Sequence, residues 1–289
     1  MTSHTNLKRR PYKQVLFVGV VLVFGIALAY KYAGRQLIAD FEATKAAVVS
    51  DESNNLKTAW RGILDKQNAP VDIAVYDHKT GVTTQSSNDA NAQFKTASIV
   101  KVAILANLLR QHATNGTGLS NYEDELASAM IQDSDNDAAT ALLETEGGNT
   151  QPDALFKRLG MTHSHMDSES WGYSTTTATD QLTLLKNIFY QSRVLTDSSR
   201  TYMQGLMNNI AVDQSWGITA GLTPDATVAL KNGWLADKNG WIINSTGHIT
   251  SKQSDYVIAI LSNQNVSEDA GIDLVQQLAK ATYTTLNAQ

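Results

Sequence analysis

The sequence contains no cysteine. This absence excludes disulfide bonds, thiolate metal ligands, a cysteine nucleophile and a lipid-modified N-terminal cysteine. Basic stripes are also missing: the formal net charge is −5, and the basic residues cluster once, at Lys8, Arg9, Arg10 and Lys13. Nucleic acid is therefore not expected as a partner, because the sequence has no stripe of basic residues that could neutralise the phosphates of a nucleic-acid backbone. The histidines lack metal-site spacing, so no metal and no other cofactor is expected.

The longest apolar run, residues 15–29, comes directly after the basic cluster. Positive charge ahead of an apolar segment favours a cytoplasmic N-terminus and export of the C-terminal remainder of the chain. The run is shorter than the ~20 residues that cross a bilayer comfortably, and Ala27-Leu28-Ala29 matches a signal-cleavage pattern. We therefore expect residues 1–33 to be a cytoplasmic N-terminus and single-pass transmembrane signal-anchor, with the remainder extracytoplasmic. The alternative is a protein secreted after signal cleavage.

Helical periodicity marks residues 34–68, interrupted by a polar stretch at 51–55 that predicts a break. This pattern indicates a stalk over residues 34–54 and a globular domain over 55–289. The alternating run Val71–Asp77, a Gly-containing turn and a short return predict a β-hairpin. Residues 98–110 are apolar nearly all round, which is typical of a buried helix.

The middle of the domain is helical in pattern and its end is rich in strands. Further helices are predicted over residues 121–145, 150–159, 177–191, 197–208 and 268–286, strands over 227–231, 240–245 and 256–261, and a long loop over 160–176. Pairing of the first hairpin with the last strands gives an α+β fold. It consists of one antiparallel sheet covered by the terminal helices, with an added helical lobe from the middle of the chain.

Three short motifs carry the candidate chemistry. In the first, Ser98 and Lys101 are three residues apart, so on a helix they share one face. A serine needs a base before it becomes a good nucleophile, and a lysine in a dry pocket can lose its charge and serve as that base. Ser98 would also lie at the N-terminus of the helix, where unpaired N–H groups favour a developing oxyanion.

The other two motifs are Ser134-Asp135-Asn136 and Lys231-Asn232-Gly233, the second of which is followed by Trp234. A strand that ends in Lys-x-Gly can place an ammonium and a closely approaching backbone beside a substrate carboxylate. Each of these motifs alone has an ordinary structural interpretation. The Ser134 motif could be a helix cap or a turn, and Lys231 could be a lysine of an edge strand. Their joint occurrence in this order favours a catalytic site.

Together these motifs resemble the S-x-x-K, S-D-N and K-T-G set of class A β-lactamases and penicillin-binding proteins. The resemblance covers roughly residues 55–286 and implies a β-lactamase/transpeptidase-like fold. It implies that Ser98 is acylated, that Lys101 is its base and that Ser134 relays a proton to the leaving nitrogen. It further implies that Asn136 contacts the substrate amide and Lys231 the substrate carboxylate, and that the backbone N–H groups of Ser98 and Trp234 form the oxyanion hole. The implied substrate is a β-lactam or a peptidoglycan-type peptide.

Two departures from the family pattern bear on activity. Asn232 replaces the usual Thr or Ser; it keeps a hydrogen-bond donor but lacks the hydroxyl, so altered binding of the substrate carboxylate is expected. The Glu-x-x-Leu-Asn segment that supplies the deacylating carboxylate in class A enzymes is absent, and the loop 160–176 offers only Asp167 and Glu169. Three hypotheses remain: a serine hydrolase that deacylates slowly, a β-lactamase that uses Asp167 or Glu169, and a non-catalytic penicillin-binding or cell-wall sensor module. The oligomeric state is left open.

Overall fold

A computed structural model describes residue 38, residues 50–89 and residues 93–288. By its internal contacts the chain divides into two units, residues 1–51 and 52–289. The sheet and the helical lobe belong to the second unit. The predicted signal-anchor lies outside the described residues, and the predicted domain limits stay predictions.

A five-stranded antiparallel sheet forms the centre of the domain, with strand order β2-β1-β7-β6-β5. Its strands are β1 (Val71–Asp77), β2 (Thr83–Ser87), β5 (Thr227–Asp237), β6 (Gly240–Thr250) and β7 (Asp255–Asn265). The predicted hairpin is β1–β2, and β1 pairs along its whole length with β7, from Val71 opposite Ser262 to Asp77 opposite Tyr256. The predicted pairing of the first hairpin with the last strands is thereby confirmed. A separate two-stranded ribbon joins β3 (Phe94–Lys95) to β4 (Thr175–Thr176).

Both faces of the sheet are buried, which explains why β7 is apolar without alternation. On one face, Ile258 and Ile260 belong to a core shared with the first and last helices of the domain. On the other, Val257, Ala259 and Leu261 belong to a second core shared with the helical lobe. The period-two alternation of side chains along a strand assigns neighbouring residues to opposite cores. This arrangement is the α+β architecture that the sequence predicts.

The helices lie close to their predicted positions. They are α1 (residues 50–64), α2 (Val100–Asn115), α3 (Asn121–Gln132), α4 (Asn136–Glu146), α5 (Asp153–Leu159), α6 (Ala178–Phe189), α7 (Asp197–Met207) and α8 (Glu268–Asn287). The predicted break at 51–55 is wrong, since α1 continues through it and Glu52 and Leu56 are buried. The single helix predicted over 121–145 is two helices, because Ser134 adopts a left-handed φ of 57° between them.

Within the part of the chain that the structure describes, no helix combines the length and apolar character needed to cross a membrane.

Candidate active site

Ser98 lies where the β3 ribbon turns into the central helix of the lobe. Residues Ala97–Ile99 form a single 3-10 turn that leads directly into α2. Ala97 has a φ of 44°, in the left-handed region that a residue with a Cβ seldom occupies. Such strain persists only where the surroundings impose it, and it is common at functional sites. The turn leaves Ser98 half-buried at the wall of a cleft.

Lys101 is completely buried one helical turn further along. Its amine donates to the Ser134 carbonyl oxygen at 2.6 Å and to Asn136 Oδ1 at 2.7 Å, and it lies 3.2 Å from Ser134 Oγ. A neutral amine has two N–H bonds, so the two short contacts use both and leave one lone pair. The Ser98 hydroxyl makes no side-chain hydrogen bond to the described residues. In an unliganded active site such catalytic contacts are often long and tighten only with substrate.

Ser134 connects the two lysines of the site. Its hydroxyl oxygen accepts a 2.9 Å hydrogen bond from Lys231 Nζ, in addition to its contact with Lys101. The left-handed backbone at Ser134 turns this hydroxyl inward, while the next residue, Asp135, caps α4 through the backbone N–H of Ala138. The three motifs of the sequence are thus joined through one oxygen atom.

Burial determines the charge of both amines. It lowers the pKa of Lys101 from its usual value to about 8, against a smaller opposing effect of the Asp135 carboxylate. Burial lowers the pKa of Lys231 further, well below its usual range, and the neighbouring Lys101 charge adds to this effect. Two ammonium groups sharing one hydroxyl in a dry site repel each other. Near neutral pH the pair therefore holds a proton acceptor within the active site.

Gly233 allows β5 to approach the turn that carries Ser98. A Cβ at this position would lie 2.8 Å from the backbone nitrogens of Ser98 and Ile99, so a larger residue would push the strand away. Asn244 pairs with Gly233 across the sheet and donates to the carbonyl oxygens of Lys95 at 2.8 Å and Thr96 at 3.0 Å. The strand and its neighbour thus fix the segment that precedes the nucleophile.

Asn232 does not present its amide to the cleft. It follows Lys231 along β5, so its side chain leaves the opposite face of the strand. Its Nδ2 donates to the carbonyl oxygens of Gln214 at 2.8 Å and Trp216 at 3.0 Å. The side chain is 1% exposed, and its Oδ1 has no hydrogen-bond partner among the described residues. Asn232 therefore anchors the segment around Trp216 to the strand.

The cleft at Ser98 has a volume of about 260 Å³, and three of its nine described lining residues are aromatic. Trp234 lines the cleft from β5, while its ring packs edge-on against Trp216 beside the core that α1 and α8 cover, with ring centres 5.8 Å apart. Trp171 and Tyr173 come from the loop that precedes β4. The complete lining is Ala97, Ser98, Asn136, Ser170, Trp171, Gly172, Tyr173, Trp234 and Leu235.

The loop 160–176 brings an aromatic ring, rather than a carboxylate, to the lysine. The Trp171 ring centre lies 5.0 Å from Lys101 Nζ, and its indole N–H donates to Thr140 Oγ1 at 3.2 Å. Asp167 accepts from the backbone N–H groups of Glu169 and Ser170, at 2.9 and 2.7 Å, and so shapes the loop. Glu169 is exposed, and neither acid lines the cleft.

The structure thus brings the predicted motif residues close together. They are Ser98, Lys101, Ser134, Asn136 and Lys231. Their catalytic roles stay predictions. Sequence reasoning missed Trp171 as a neighbour of the lysine and Asn244 as a tether. A signal for Asn244 was available in the sequence: it is a polar residue that directly follows apolar residues of β6.

A family model described as the Beta-lactamase enzyme family matches residues 117–286. The matched range includes the second and third motifs and begins after the first. Among curated proteins, the chain is 24% identical over 226 residues to "Putative lipoprotein LppW" from Mycobacterium bovis and from Mycobacterium tuberculosis. The alignment covers 74% of this chain and 70% of that protein.

Solved structures of similar fold include a class A beta-lactamase from Bacteroides cellulosilyticus, with a TM-score of 0.72 and 17% identity. That comparison covers 82% of this chain and 99% of the other. PBP-A has a TM-score of 0.70 and 19% identity, with 82% and 97% covered. At these identities the likeness concerns the fold, and it confirms the predicted β-lactamase-like architecture.

Proposed function

Because the chain belongs to the beta-lactamase enzyme family, we propose that it is an extracytoplasmic serine hydrolase that forms an acyl-enzyme on Ser98 and releases it slowly. The observation that carries this proposal is the arrangement around Ser134. Its hydroxyl contacts two buried lysines, Lys101 and Lys231. Lys101 lies one helical turn from Ser98, which lines the open cleft.

In the acylation step, Ser98 Oγ attacks the carbonyl carbon of a β-lactam or a cell-wall-type amide or ester. The uncharged Lys101 amine takes the hydroxyl proton, directly or through an intervening group. The carbon–nitrogen or carbon–oxygen bond of the donor then breaks. Ser134 passes a proton to the leaving atom and regains one from the lysine pair. Ser98 remains as an ester, and the atoms and charges balance without a cofactor.

Slow release is supported by the loop 160–176. Hydrolysis of the ester needs a base that activates water beside the acyl carbonyl. Trp171 occupies the space over Lys101, while Asp167 is engaged by backbone N–H groups and Glu169 is exposed. The geometry therefore favours slow deacylation over turnover through either acid.

The extracytoplasmic location is supported by the sequence. Basic residues precede the apolar run 15–29, a pattern that favours export of the C-terminal remainder as an anchored or cleaved protein. The named relatives are described as a lipoprotein, which agrees with a location outside the cytoplasm.

The experiment is intact-mass analysis of the purified chain before and after a fluorescent penicillin, combined with a chromogenic cephalosporin assay. We expect one adduct per chain on Ser98 and a burst of one equivalent followed by slow turnover. Rapid multiple turnover would contradict slow deacylation. The absence of any adduct on a chain shown to be folded by circular dichroism would favour the non-catalytic penicillin-binding or sensor module.

A pair of serine variants identifies the nucleophile. Ser98→Ala should abolish the adduct and change the free energy of unfolding by about 0.5 kcal/mol or less, because Ser98 is half-buried and makes no side-chain hydrogen bond to the described residues. Ser170→Ala alters another serine of the same cleft wall and should retain the adduct. Labelling that survives in the first variant would remove Ser98 from the mechanism.

A further inference from the structure

Among the described residues, those that line the cleft at Ser98 include no lysine, arginine or histidine. Two lysines lie behind the wall, but Lys101 and Lys231 have no exposed surface. Lys231 Nζ is engaged by Ser134 Oγ and by the Asn232 carbonyl oxygen, at 2.9 and 3.0 Å. A carboxylate in the cleft would therefore lose water without finding an exposed ammonium.

The approach to Lys231 from the far side of β5 is also closed. Asn232 ties the backbone at Gln214 and Trp216 to the strand through two hydrogen bonds. Gln214 in turn donates from Nε2 to the carbonyl oxygen of Asp133, at 2.7 Å, beside the second motif. These contacts hold the segment around Gln214 against both β5 and the second motif.

Lys95, a partly exposed lysine beside the cleft residue Tyr173, is already paired. Lys95 precedes the Ser98 turn, forms a 2.8 Å ion pair with Asp237 and lies 4.5 Å from the ring centre of Tyr173. Its charge is therefore compensated. The lining of the cleft includes Trp171 and Tyr173, and aromatic side chains favour contact with flat apolar groups.

We propose that this cleft selects acyl donors that are uncharged beside the scissile bond and carry a flat apolar or aromatic group. This inference rests on the proposed acylation of Ser98 and narrows its substrate class. The favoured donors are neutral esters and amides. Donors with a carboxylate next to the leaving nitrogen are disfavoured, because burying an unpaired charge costs more than any contact that it replaces.

The test compares benzylpenicillin with its methyl ester, which differ only in that carboxylate. The rate constant of Ser98 acylation is measured by intact mass for each probe and divided by the rate of ring opening by hydroxide in buffer, which corrects for intrinsic reactivity. We expect the corrected constant to be about tenfold or more higher for the ester. Equal constants, or a faster free acid, would overturn the inference while the proposed function stands. No adduct with either probe would instead contradict the proposed function.

A charge placed on the wall provides a second, independent measurement. Leu235 lines the cleft, whereas the next residue along β5, Ala236, is exposed. Leu235→Arg should raise acylation by the free acid relative to the ester by about tenfold, because it supplies the missing cation. Ala236→Arg adds the same charge on the other face and should leave the ratio unchanged. An unchanged ratio in the Leu235 variant, or an equal change in both, would contradict the inference.

Discussion

At the scale of single residues, the site depends on two amines competing for one proton near Ser134. Lys231 is the more deeply buried, and burial lowers its pKa well below its usual range. Lys101 has the nearby Asp135 carboxylate, which partly restores its pKa, to about 8. The nearby Asp135 carboxylate favours a proton on Lys101, the lysine one helical turn from Ser98.

This difference predicts the pH dependence of acylation. Only the uncharged Lys101 amine can accept the serine proton, and at a pKa of about 8 most of it is charged below neutral pH. The acylation rate should therefore rise about tenfold per pH unit below pH 7 and level off above pH 8 to 9. Stopped-flow measurements with a fluorescent penicillin between pH 5.5 and 9.5 provide the profile.

The substitution Lys101→Arg tests the origin of this profile. A guanidinium stays charged throughout the range, so the acylation rate should fall by about 10²–10⁴-fold and lose its dependence on pH. A flat profile in the unmodified chain, or an unaltered rising profile in the variant, would assign the proton transfer to another group.

At the scale of elements, the loop 160–176 sets the lifetime of the acyl-enzyme. Trp171→Glu would place a carboxylate where an indole now lies 5.0 Å from Lys101 Nζ. We expect deacylation to accelerate by at least tenfold, because a base then stands beside the ester. The decay of the adduct is followed by intact mass after excess penicillin is removed.

A control on the same loop tests whether a carboxylate must lie beside the lysine in order to affect deacylation. Glu169→Gln removes an exposed carboxylate that does not line the cleft, so the adduct lifetime should not change. If this variant prolongs the lifetime tenfold, Glu169 is the deacylating base, and the chain is a β-lactamase with an unusual loop acid.

A buried carboxyl group lies between the helices α2 and α4 of the helical lobe. Glu146 is 6% exposed and accepts a hydrogen bond from Asn107, whose Oδ1 is bound by Arg110 at 2.7 Å. Burial raises the pKa of Glu146 to about 8, although the Asn107 hydrogen bond and the Arg110 charge oppose it. The folded chain thus holds this proton more tightly than the unfolded chain does.

The raised pKa predicts that stability falls with increasing pH. The contribution of Glu146 is fully present below pH 4.5 and is lost as the pH rises through about 8. Glu146→Gln should reduce the decline in the free energy of unfolding between pH 5 and 8 by about 2–4 kcal/mol, measured by urea unfolding. Glu144→Gln, at an exposed position of the same helix, should preserve the decline. Parallel curves for both variants would contradict the prediction.

Most of the long elements could be predicted because they have a local signal, whereas the short strands β3 and β4 were not predicted. Alternation marks the β1–β2 hairpin, and an apolar run marks β7, which is buried on both faces. The motif residues could be placed together because their order resembles that of a known family. Trp171 escaped prediction because the loop 160–176 has no period. The partners of Asn232 escaped prediction as well: alternation along β5 directs its side chain away from that of Lys231, but no sequence pattern locates the backbone oxygens of Gln214 and Trp216.

At the scale of the whole molecule, the cleft gathers residues from distant parts of the chain. Its lining comes from the turn before α2, the start of α4, the loop before β4 and strand β5. The helices α1 and α8 cover the other face of the sheet. Leu56, Trp60 and Leu64 of α1 are buried against this second face, and Trp60 Nε1 donates to Thr282 Oγ1 of α8 at 2.9 Å. The helix α1 therefore belongs to the folded domain, and its loss would expose the core beneath the sheet.

Two truncations test where the domain begins. A chain of residues 50–289 retains α1 and should fold and acylate at the rate of the full chain, because every residue of the cleft is present. A chain of residues 66–289 lacks α1 and should be insoluble or unfold at a much lower temperature in scanning calorimetry. Trp60→Ala in the longer chain should lower the free energy of unfolding by about 3–5 kcal/mol, because it removes a large buried side chain from the same core. A stable, acylating chain of residues 66–289 would show that α1 is dispensable and move the start of the domain to β1.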